Sequence, residues 1–399
     1  MDSKALDDGV HGLKIAHVIT RLIVGGAQEN TLLSCEGLHA RGHEVVLITG
    51  PSPGREGTLM ERAMAGGYQV ILEPNLVRNP SPYCDWSAFC SLKRHVIAIK
   101  PDIWHTHSSK AGILGRAAAF GRGPRVVHTI HGLPFHPYQN RAVFHAWAGL
   151  ERWAARRCDK LVVVADAMRR QALAQHVGQS DQYVTIRSGM EIEKFRFDPT
   201  ARESVRKRFN IPDSAIVFGT IARLQPLKGH DDILSVVRNL IRDIPDIHFM
   251  WVGDGIFFDR FSEAIAQHNW QKYFTLTGLV PPEEVGHLIS AMDVLIHPSY
   301  REGLPRAVPQ AMLAGRPTIT YDCDGANEIC INRMTGVLIS PGDRQALEAA
   351  VRLLAGDMNL RTELGKAGRD LAEKEFRSKD MVDRLEALYQ DMISGSKTT

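Results

Sequence analysis

The sequence lacks several features that would assign it to a specialised class of protein. No apolar run approaches the roughly 18 residues that a membrane-spanning helix needs. The six cysteines form no C-x-x-C pair and no secreted-type framework, which favours free thiols in a reducing compartment. A net charge of +3 is too small for a dedicated nucleic-acid-binding protein. The ordinary composition also excludes disordered, collagen-like and disulfide-stapled chains.

The N-terminal residues MDSKALDDGVHGLK are acidic and polar, whereas a signal peptide needs a basic start and an apolar run. We therefore expect a cytoplasmic protein, either free or attached peripherally to the inner face of the plasma membrane. Charge is unevenly distributed: residues 1–195 carry 23 Lys and Arg against 17 Asp and Glu, and 12 of the 17 His. This asymmetry fits an anionic partner or substrate at the first half, although chance scatter of surface charge explains it equally well.

Short β-branched apolar runs alternate with helix-period segments along the chain, which predicts βα units with parallel sheets. A first series of strands is predicted at 14–20, 44–49, 68–72, 102–107, 125–131, 160–165 and 183–187. A second series is predicted at 215–222, 247–253, 273–278, 293–298, 317–322 and 335–340. With 399 residues, two such series indicate two doubly wound domains.

The predicted domain bounds follow from composition. We expect a tail at 1–12, a first Rossmann-like domain at 13–188, a polar linker at 189–212, a second domain at 213–375, and a C-terminal helix and tail at 376–399. Ligands of doubly wound sheets bind at the carboxyl ends of strands, so chemistry should collect on the loops there.

The segment HPSYREGLPRAVPQAM at 297–312 follows a predicted strand and opens a helix. Glu302 can accept hydrogen bonds from sugar hydroxyls, and the helix N-terminus offers unpaired N–H groups to an anion. Taken alone, Glu302 is equally well explained as a helix cap.

A second segment, ARLQPLKGH at 222–230, places Arg223 and Lys228 on a loop after a strand. An Arg fork and a Lys point charge suit phosphate oxygens. One such pair is more often a solvated loop, but its combination with the Glu302 segment favours a site for a phosphorylated sugar.

These two segments resemble the donor-binding domain of retaining glycosyltransferase family 4, whose members have the GT-B fold. The family's GRL…KG loop corresponds to ARLQPLKG here, and its E-x7-E element corresponds to Glu302 and Gln310. The resemblance extends over the first half, in KIAHVITRLIVGGAQENTLLSCEGLHARGHEVVLIT, DIWHTHSSKAGILGRAAA and VVHTIHGLPFH. It implies two facing domains, with a terminal helix near 379–393 crossing back to the first.

The resemblance also implies residue roles in the second domain. Arg223 and Lys228 would hold the donor diphosphate and stabilise the departing phosphate. Glu302 would bind sugar hydroxyls beside the reacting face, with the backbone N–H groups of Gly303 and Leu304 supporting sugar or phosphate oxygens.

Further donor contacts are implied on both halves. Gly253 and Val280 would line the nucleotide cleft, and Gly25 and Gly26 would let backbone approach the donor phosphate. Gln310 stands where the family's second Glu binds the nucleotide ribose. An amide oxygen makes weaker bonds than a carboxylate, so we expect weakened or altered nucleotide binding rather than loss of activity.

His131 matches the family's histidine near the donor sugar, where it would hydrogen-bond the sugar. A structural histidine at a strand end is the alternative. His105 and His107 share one strand face, with His128 and His136 in the same region. A zinc site is the alternative interpretation of these histidines. The resemblance implies no cofactor and no metal.

The acceptor side is less defined by the sequence. Ser108, Ser109 and Lys110 could contact an acceptor phosphate, or form a helix cap with a solvated lysine. The segment 141–160 mixes aromatic residues with Arg and Lys. As an amphipathic helix it could rest on anionic lipid, although aromatic side chains in such a helix more often pack in the core.

The resemblance implies a retaining glycosyltransferase that uses a nucleoside-diphosphate sugar, UDP- or GDP-linked, as its donor. The acceptor would be a saccharide or a lipid-diphosphate-linked sugar in polysaccharide or glycolipid synthesis. Two alternatives stay open: another GT-B reaction, such as a sugar-nucleotide epimerase or a phosphorylase, and a non-catalytic sugar-nucleotide or glycolipid-binding protein suggested by Gln310.

Overall fold

The computed structural model describes residues 12–52 and 57–395 of the chain. The tail predicted at 1–12 therefore lies outside the described residues, apart from Gly12. Contacts divide the chain into two units. The first comprises the residues up to Val162, Leu173–Val184 and the chain from Val382 onward, and the second comprises Val163–Ala172 and Thr185–Met381.

The first unit is built on a parallel sheet of seven strands among the described residues. The strands are β1 (Lys14–Arg21), β2 (Glu44–Gly50), β3 (Gln69–Leu72), β4 (Ile103–His107), β5 (Arg125–Ile130), β6 (Lys160–Val163) and β7 (Tyr183–Thr185). Their order is β3-β2-β1-β4-β5-β6-β7. The order reverses between β1 and β4, which makes their carboxyl ends the switch point of this sheet.

The second unit has a sheet of six described strands. They are β8 (Ile216–Ile221), β9 (Ile247–Val252), β10 (Phe274–Leu276), β11 (Val294–His297), β12 (Thr318–Tyr321) and β13 (Gly336–Ile339). The order β10-β9-β8-β11-β12-β13 places its switch point between β8 and β11. Both predicted series of strands, and with them the doubly wound α/β class, are confirmed.

Helices fill the connections between the strands. They are α1 (Gly26–Ala40), α2 (Met60–Ala65), α3 (Pro82–Ile99), α4 (Ser109–Ala119), α5 (Arg141–Ala155), α6 (Asp166–Ala174), α7 (Pro199–Arg208), α8 (His230–Asp243), α9 (Phe258–Gln267), α10 (Val285–Ala291), α11 (Ala307–Leu313), α12 (Arg344–Gly356), α13 (Met358–Glu375) and α14 (Ser378–Ser394). Two of them, α12 and α13, begin with an Asp cap: Asp343 accepts from the Ala346 amide and Asp357 from the Leu360 amide.

Central strands are buried on both faces because helices cover both sides of each sheet. All six residues of β9 are buried, and so are all five of β4. In the second unit Phe249 stacks on Phe274 with ring centroids 5.1 Å apart, and Trp251 meets Phe274 edge-on at 5.3 Å. This aromatic core supports the strands whose carboxyl ends carry the candidate site.

The last helix, α14, ends inside the first unit. Arg41 donates to Glu386 at 2.5 Å, and the Tyr389 hydroxyl lies 2.5 Å from Nδ1 of His105. Val382 on α14 packs closely against Gly37 on α1, since a Cβ on Gly37 would lie 2.5 Å from Cγ2 of Val382. The chain thus returns to its first unit at the C-terminus, as the GT-B expectation requires.

The division by contacts changes between the units at 184/185 and 381/382, whereas the sequence predicted domain bounds at 188 and 375. Residues 163–172 group with the second unit, and so does 189–212, the segment expected to be a linker. That segment contains α7, whose Arg206 is buried and donates to Asp293 at 2.9 Å. Local polarity suggested a solvated linker, but these charges are satisfied by a partner that lies 87 residues away in sequence.

No helix among residues 12–52 and 57–395 is long and apolar enough to span a membrane.

Candidate active site

Two loops of the second unit meet at its switch point. One follows β8 and runs from Ala222 to Gly229, and the other follows β11 and runs from Pro298 to Arg306. The hydroxyl of Ser299 donates to the Leu227 carbonyl at 3.1 Å, and the Tyr300 amide donates to the same oxygen at 2.9 Å. The sequence-predicted cations and carboxylate are therefore carried by two loops that are bonded to each other.

The loop after β8 has a constrained backbone where it enters α8. Leu227 has φ +68° and Gly229 has φ +75°, both in the left-handed region that disfavours side chains. A Cβ on Gly229 would lie 1.9 Å from the carbonyl oxygen of Pro298. The glycine of the KG pair is thus required, because only it permits this turn and this close approach.

Lys228 and Glu302 form the centre of the site. Lys228 Nζ donates to Glu302 Oε1 at 2.5 Å, and their side chains are only 18% and 17% exposed. His297 Nε2 donates to the same oxygen at 3.0 Å. Burial alone would raise the pKa of Glu302, but the Lys228 ammonium and the His297 hydrogen bond hold that pKa well below its usual value. Glu302 is therefore an ionised acceptor of hydrogen bonds.

Two residues around Glu302 carry no role in the sequence analysis. His297 ends β11, five residues before Glu302, and Asp324 accepts the Glu302 backbone amide on Oδ2 at 2.7 Å. His297 stands in the motif itself, so its position at the end of the strand was a usable signal. Asp324 lies 22 residues further on, and only folding brings it to the loop.

The other residues predicted to contact the donor lie on neighbouring elements. Gly303 and Leu304 follow Glu302, and within the described hydrogen bonds their amides have no partner in the protein. Gln310 lies on α11 and is 8% exposed. Arg223 is exposed on the loop after β8. The contacts described do not join Arg223 or Gln310 to Glu302, so their roles stay predictions.

The loops after β9 and β10 flank the same end of the sheet. Gly253 has φ +139°, and a Cβ there would lie 2.3 Å from the Ala222 carbonyl oxygen. Its amide donates to the Gly278 carbonyl at 3.1 Å. Val280 is half-buried two residues further along. Gly253 therefore lets the loop after β9 approach the loop that carries Arg223.

In the first unit, a cavity of about 250 Å³ opens at the carboxyl ends of β4 and β5. Its lining includes Ser108, Ser109 and His131, which the sequence predicts as site residues, together with Glu151. Glu151 is buried and pairs with Arg116 at 2.7 Å. The predicted acceptor hydroxyls and the predicted sugar-contacting histidine thus share one cavity.

The other first-unit candidates have partners inside the unit. Lys110 donates to Asp85 and to the Asn79 carbonyl, each at 2.5 Å, so an acceptor phosphate would compete with these contacts. Gly25 precedes α1 with extended backbone, φ 175°, and Gly26 is the first residue of that helix. Neither residue has a left-handed backbone conformation that would require glycine at its position.

Histidines cluster beneath the cavity. Ring nitrogens of His17, His105 and His107 lie within 4.8 Å of one another, and all three side chains are fully buried. His107 Nδ1 lies 3.2 Å from His131 Nε2. The sequence pattern places His105 and His107 on one strand, but it does not point to His17. That residue lies 90 positions before His107 and is its neighbour only through the pairing of β1 with β4.

Sequence profiles of two families match the chain. The profile described as Glycosyltransferase Family 4 matches residues 24–194, and the profile described as Glycosyl transferases group 1 matches residues 201–371. The chain is 29% identical, over 96% of its length and 97% of the relative's, to the UDP-Gal:alpha-D-GlcNAc-diphosphoundecaprenol alpha-1,3-galactosyltransferase of Escherichia coli.

Two further likenesses extend over nearly the whole chain. A GDP-mannose-dependent alpha-(1-6)-phosphatidylinositol monomannoside mannosyltransferase of Mycolicibacterium smegmatis is 24% identical over 93% of this chain and 96% of its own. The crystal structure of Anabaena HepE in complex with UDP-glucose superposes with a TM-score of 0.81 at 18% identity, covering 96% of this chain and all of that one. The two family matches and the confirmed fold show that the chain belongs to glycosyltransferase family 4, of GT-B fold, and is a nucleotide-sugar-dependent glycosyltransferase.

Proposed function

We propose that the enzyme transfers a hexosyl group, with retention of configuration, from a UDP- or GDP-sugar to a lipid-diphosphate-linked or free saccharide in polysaccharide or glycolipid synthesis. The observation that carries this proposal is the Lys228–Glu302 contact of 2.5 Å at the switch point of the second sheet. A cation for phosphate and an ionised acceptor for sugar hydroxyls stand side by side there. The E. coli relative supports a UDP-sugar and a diphospholipid-linked acceptor.

In the proposed mechanism the bond between the sugar's anomeric carbon and the phosphate oxygen breaks, and its electron pair leaves on the diphosphate. Lys228 and Arg223 stabilise that developing charge. Glu302 is ionised and accepts hydrogen bonds from the sugar hydroxyls, so it orients the sugar rather than giving up a proton. The acceptor hydroxyl attacks on the face that the diphosphate leaves, and its proton passes to the departing phosphate oxygen.

The two side-chain cations offset the negative charge of the diphosphate, so the proposed reaction requires no metal ion. The amides of Gly303 and Leu304, ahead of α11, add N–H donors to the same anion. The Gln310 amide oxygen would accept one bond from the nucleotide ribose, in place of a carboxylate's stronger bonds.

We also propose that α5 holds the enzyme at an anionic membrane surface, where a lipid-linked acceptor would be presented. On this helix Val143, Leu150 and Trp153 recur at helical spacing and are 44%, 44% and 41% exposed. Arg156 is exposed beside them, and the Arg157 guanidinium lies 3.8 Å from the centroid of the Trp153 ring. Aromatic and aliphatic groups flanked by arginine suit the boundary between head groups and acyl chains.

The experiment that tests the function presents UDP-galactose, UDP-glucose and GDP-mannose separately, with a diphospholipid-linked sugar as acceptor. Mass spectrometry of the lipid product and NMR of its anomeric proton report transfer and configuration. We expect one donor to give a retained glycosidic product. An epimerised nucleotide sugar, a sugar 1-phosphate or an inverted product would each contradict the proposal.

A further inference from the structure

Three histidines of the first unit form a diagonal chain across adjacent parallel strands. In the sheet register His17 on β1 pairs with His105 on β4, and His107 on β4 pairs with Thr129 on β5. His107 is two residues beyond His105, and His131 is two residues beyond Thr129. Each step from His17 to His107 to His131 therefore crosses one strand and advances two residues toward the carboxyl edge, where diagonal side chains can meet.

The ring nitrogens along this chain are within hydrogen-bond distance. His17 Nδ1 lies 2.9 Å from His107 Nε2, and His107 Nδ1 lies 3.2 Å from His131 Nε2. His17 and His107 are fully buried. Burial lowers the pKa of His17 to about 3 and that of His107 well below its usual value, so both rings are neutral at physiological pH. A neutral imidazole carries one N–H and one lone pair.

Only two proton arrangements make both hydrogen bonds between neutral rings. In the first, every ring carries its proton on Nδ1, so His17 donates to His107 and His107 donates to His131. In the second, every ring carries its proton on Nε2 and the donation runs the other way. His17 Nε2 decides between them, because it is buried and has no hydrogen-bond partner among the described residues.

The second arrangement would leave an N–H at His17 Nε2 with no acceptor, whereas the first leaves only a lone pair there. Buried N–H groups without an acceptor are rarer in proteins than under-satisfied acceptors. We propose that His107 is a positioning residue, oriented by His17, which donates to His131 Nε2 and so fixes His131 as the tautomer protonated on Nδ1. His131, a lining residue of the cavity, then carries its N–H on Nδ1.

The catalytic consequence rests on the proposed function. A histidine fixed as a donor through one known nitrogen can bond a sugar hydroxyl oxygen without having to reorganise during the reaction. Its role differs from that of a general base, because the tautomer offers the substrate a proton rather than a lone pair.

A metal ion is the competing explanation for clustered histidines. Two nitrogens bound to one tetrahedral zinc at about 2.1 Å each would be about 3.4 Å apart. The 2.9 Å between His17 and His107 is shorter and matches a shared proton. His105 is also committed elsewhere, with Tyr389 at 2.5 Å on Nδ1 and Thr129 at 2.7 Å on Nε2.

The direct test is long-range ¹H–¹⁵N correlation NMR on the full chain with ¹⁵N-labelled histidine. Single substitutions His17→Leu, His107→Leu and His131→Leu assign the three signals. We expect all three rings to show the pattern of the tautomer protonated on Nδ1. A pattern protonated on Nε2 at His107 or His131 would overturn the proposal, and so would one equivalent of zinc copurifying with the chain and lost in His17→Leu.

A matched pair of variants separates the hydrogen bond from the space that His107 fills. His107→Asn retains an N–H donor near the position of Nδ1, whereas His107→Leu removes it. We expect His131 to keep its tautomer in His107→Asn and to change it in His107→Leu, with a fall in kcat of about tenfold in the leucine variant only. Equal tautomers in the two variants would refute the positioning role.

The NMR result does not depend on the assigned reaction. If no donor sugar is transferred but the three tautomers are as expected, the proposed function fails and the positioning chain stands. If transfer occurs and the tautomers differ, the opposite conclusion holds.

Discussion

Asp324 holds the backbone of Glu302: its Oδ2 accepts the Glu302 amide at 2.7 Å, although the two residues lie 22 positions apart. Asp324 has φ +46°, a left-handed conformation that Asp and Asn adopt more readily than other side chains. The Glu302 carboxylate, which we propose as the acceptor for sugar hydroxyls, is thus positioned by a second carboxylate through the main chain.

We expect Asp324→Ala to lower kcat/KM about tenfold, since it removes the acceptor of the Glu302 amide and strains the left-handed backbone. Asp324→Asn is the matched control, because its amide oxygen can accept the same bond and Asn tolerates the conformation. Donor titrations in steady-state assays measure both variants. Equal losses in the two would show that the charge of Asp324 matters, not the hydrogen bond.

Lys228→Met should lower kcat by about 10²–10³-fold, because it removes the cation that meets the leaving diphosphate while keeping the side-chain stem. It should also change the pH profile. With the ammonium gone, burial raises the Glu302 pKa, so activity should fall at a higher pH on the acid side than in the wild type. A pH–rate series for both proteins checks this, and an unshifted acid limb would contradict the assigned pairing.

Gln310→Glu tests the departure from the E-x7-E element. A carboxylate makes roughly twofold stronger bonds to ribose hydroxyls than an amide does, so the nucleoside diphosphate should bind several-fold more tightly. Calorimetric titration with UDP and GDP measures the change, and Gln310→Leu, which lacks any polar atom, should bind more weakly than the wild type. Identical affinities in all three proteins would place Gln310 away from the nucleotide.

Gly229→Ala should disrupt the donor loop, because its Cβ would lie 1.9 Å from the Pro298 carbonyl oxygen in a backbone of φ +75°. We expect a destabilisation of more than about 1 kcal/mol and a large loss of donor affinity. Gly356→Ala is the control, since no heavy atom lies within 4 Å of a Cβ there and the residue ends α12. Thermal unfolding with and without nucleotide compares them.

Leu150→Glu and Trp153→Glu should abolish binding to vesicles that contain anionic phospholipid, because both side chains are exposed on α5 beside Arg156. Met358→Glu, at a 72% exposed position on α13, should leave binding unchanged. Vesicle sedimentation measures the bound fraction. Retained binding in the α5 variants would assign any membrane attachment to another surface, while transfer to a soluble acceptor should be unaffected.

The α/β architecture could be predicted because its signals are local. Runs such as KIAHVIT and AIVFGTIA are β-branched and apolar throughout, which is what a strand buried on both faces requires. The motifs of the candidate site are readable for the same reason: Lys228 with Gly229, and Glu302 with its following glycine, are adjacent in sequence and belong to single loops.

Contacts between distant segments could not be predicted in this way. The polar stretch that contains α7 suggested a linker, yet Arg206 is buried against Asp293. For the basic, aromatic segment of α5 the sequence favoured core packing over an exposed surface, and the structure exposes Leu150 and Trp153. Burial depends on what packs against a residue, which local composition does not specify.

The sequence by itself determined the two parallel sheets, the two loops of the candidate site and the family to which they point, because strand patterns and motifs consist of consecutive residues. Only the tertiary structure decided that Asp324 and His297 support Glu302, and that His17 reaches His131 through His107. Those relationships depend on strand order and register, which bring together side chains that are tens of residues apart and give a buried nitrogen its partner or leave it without one.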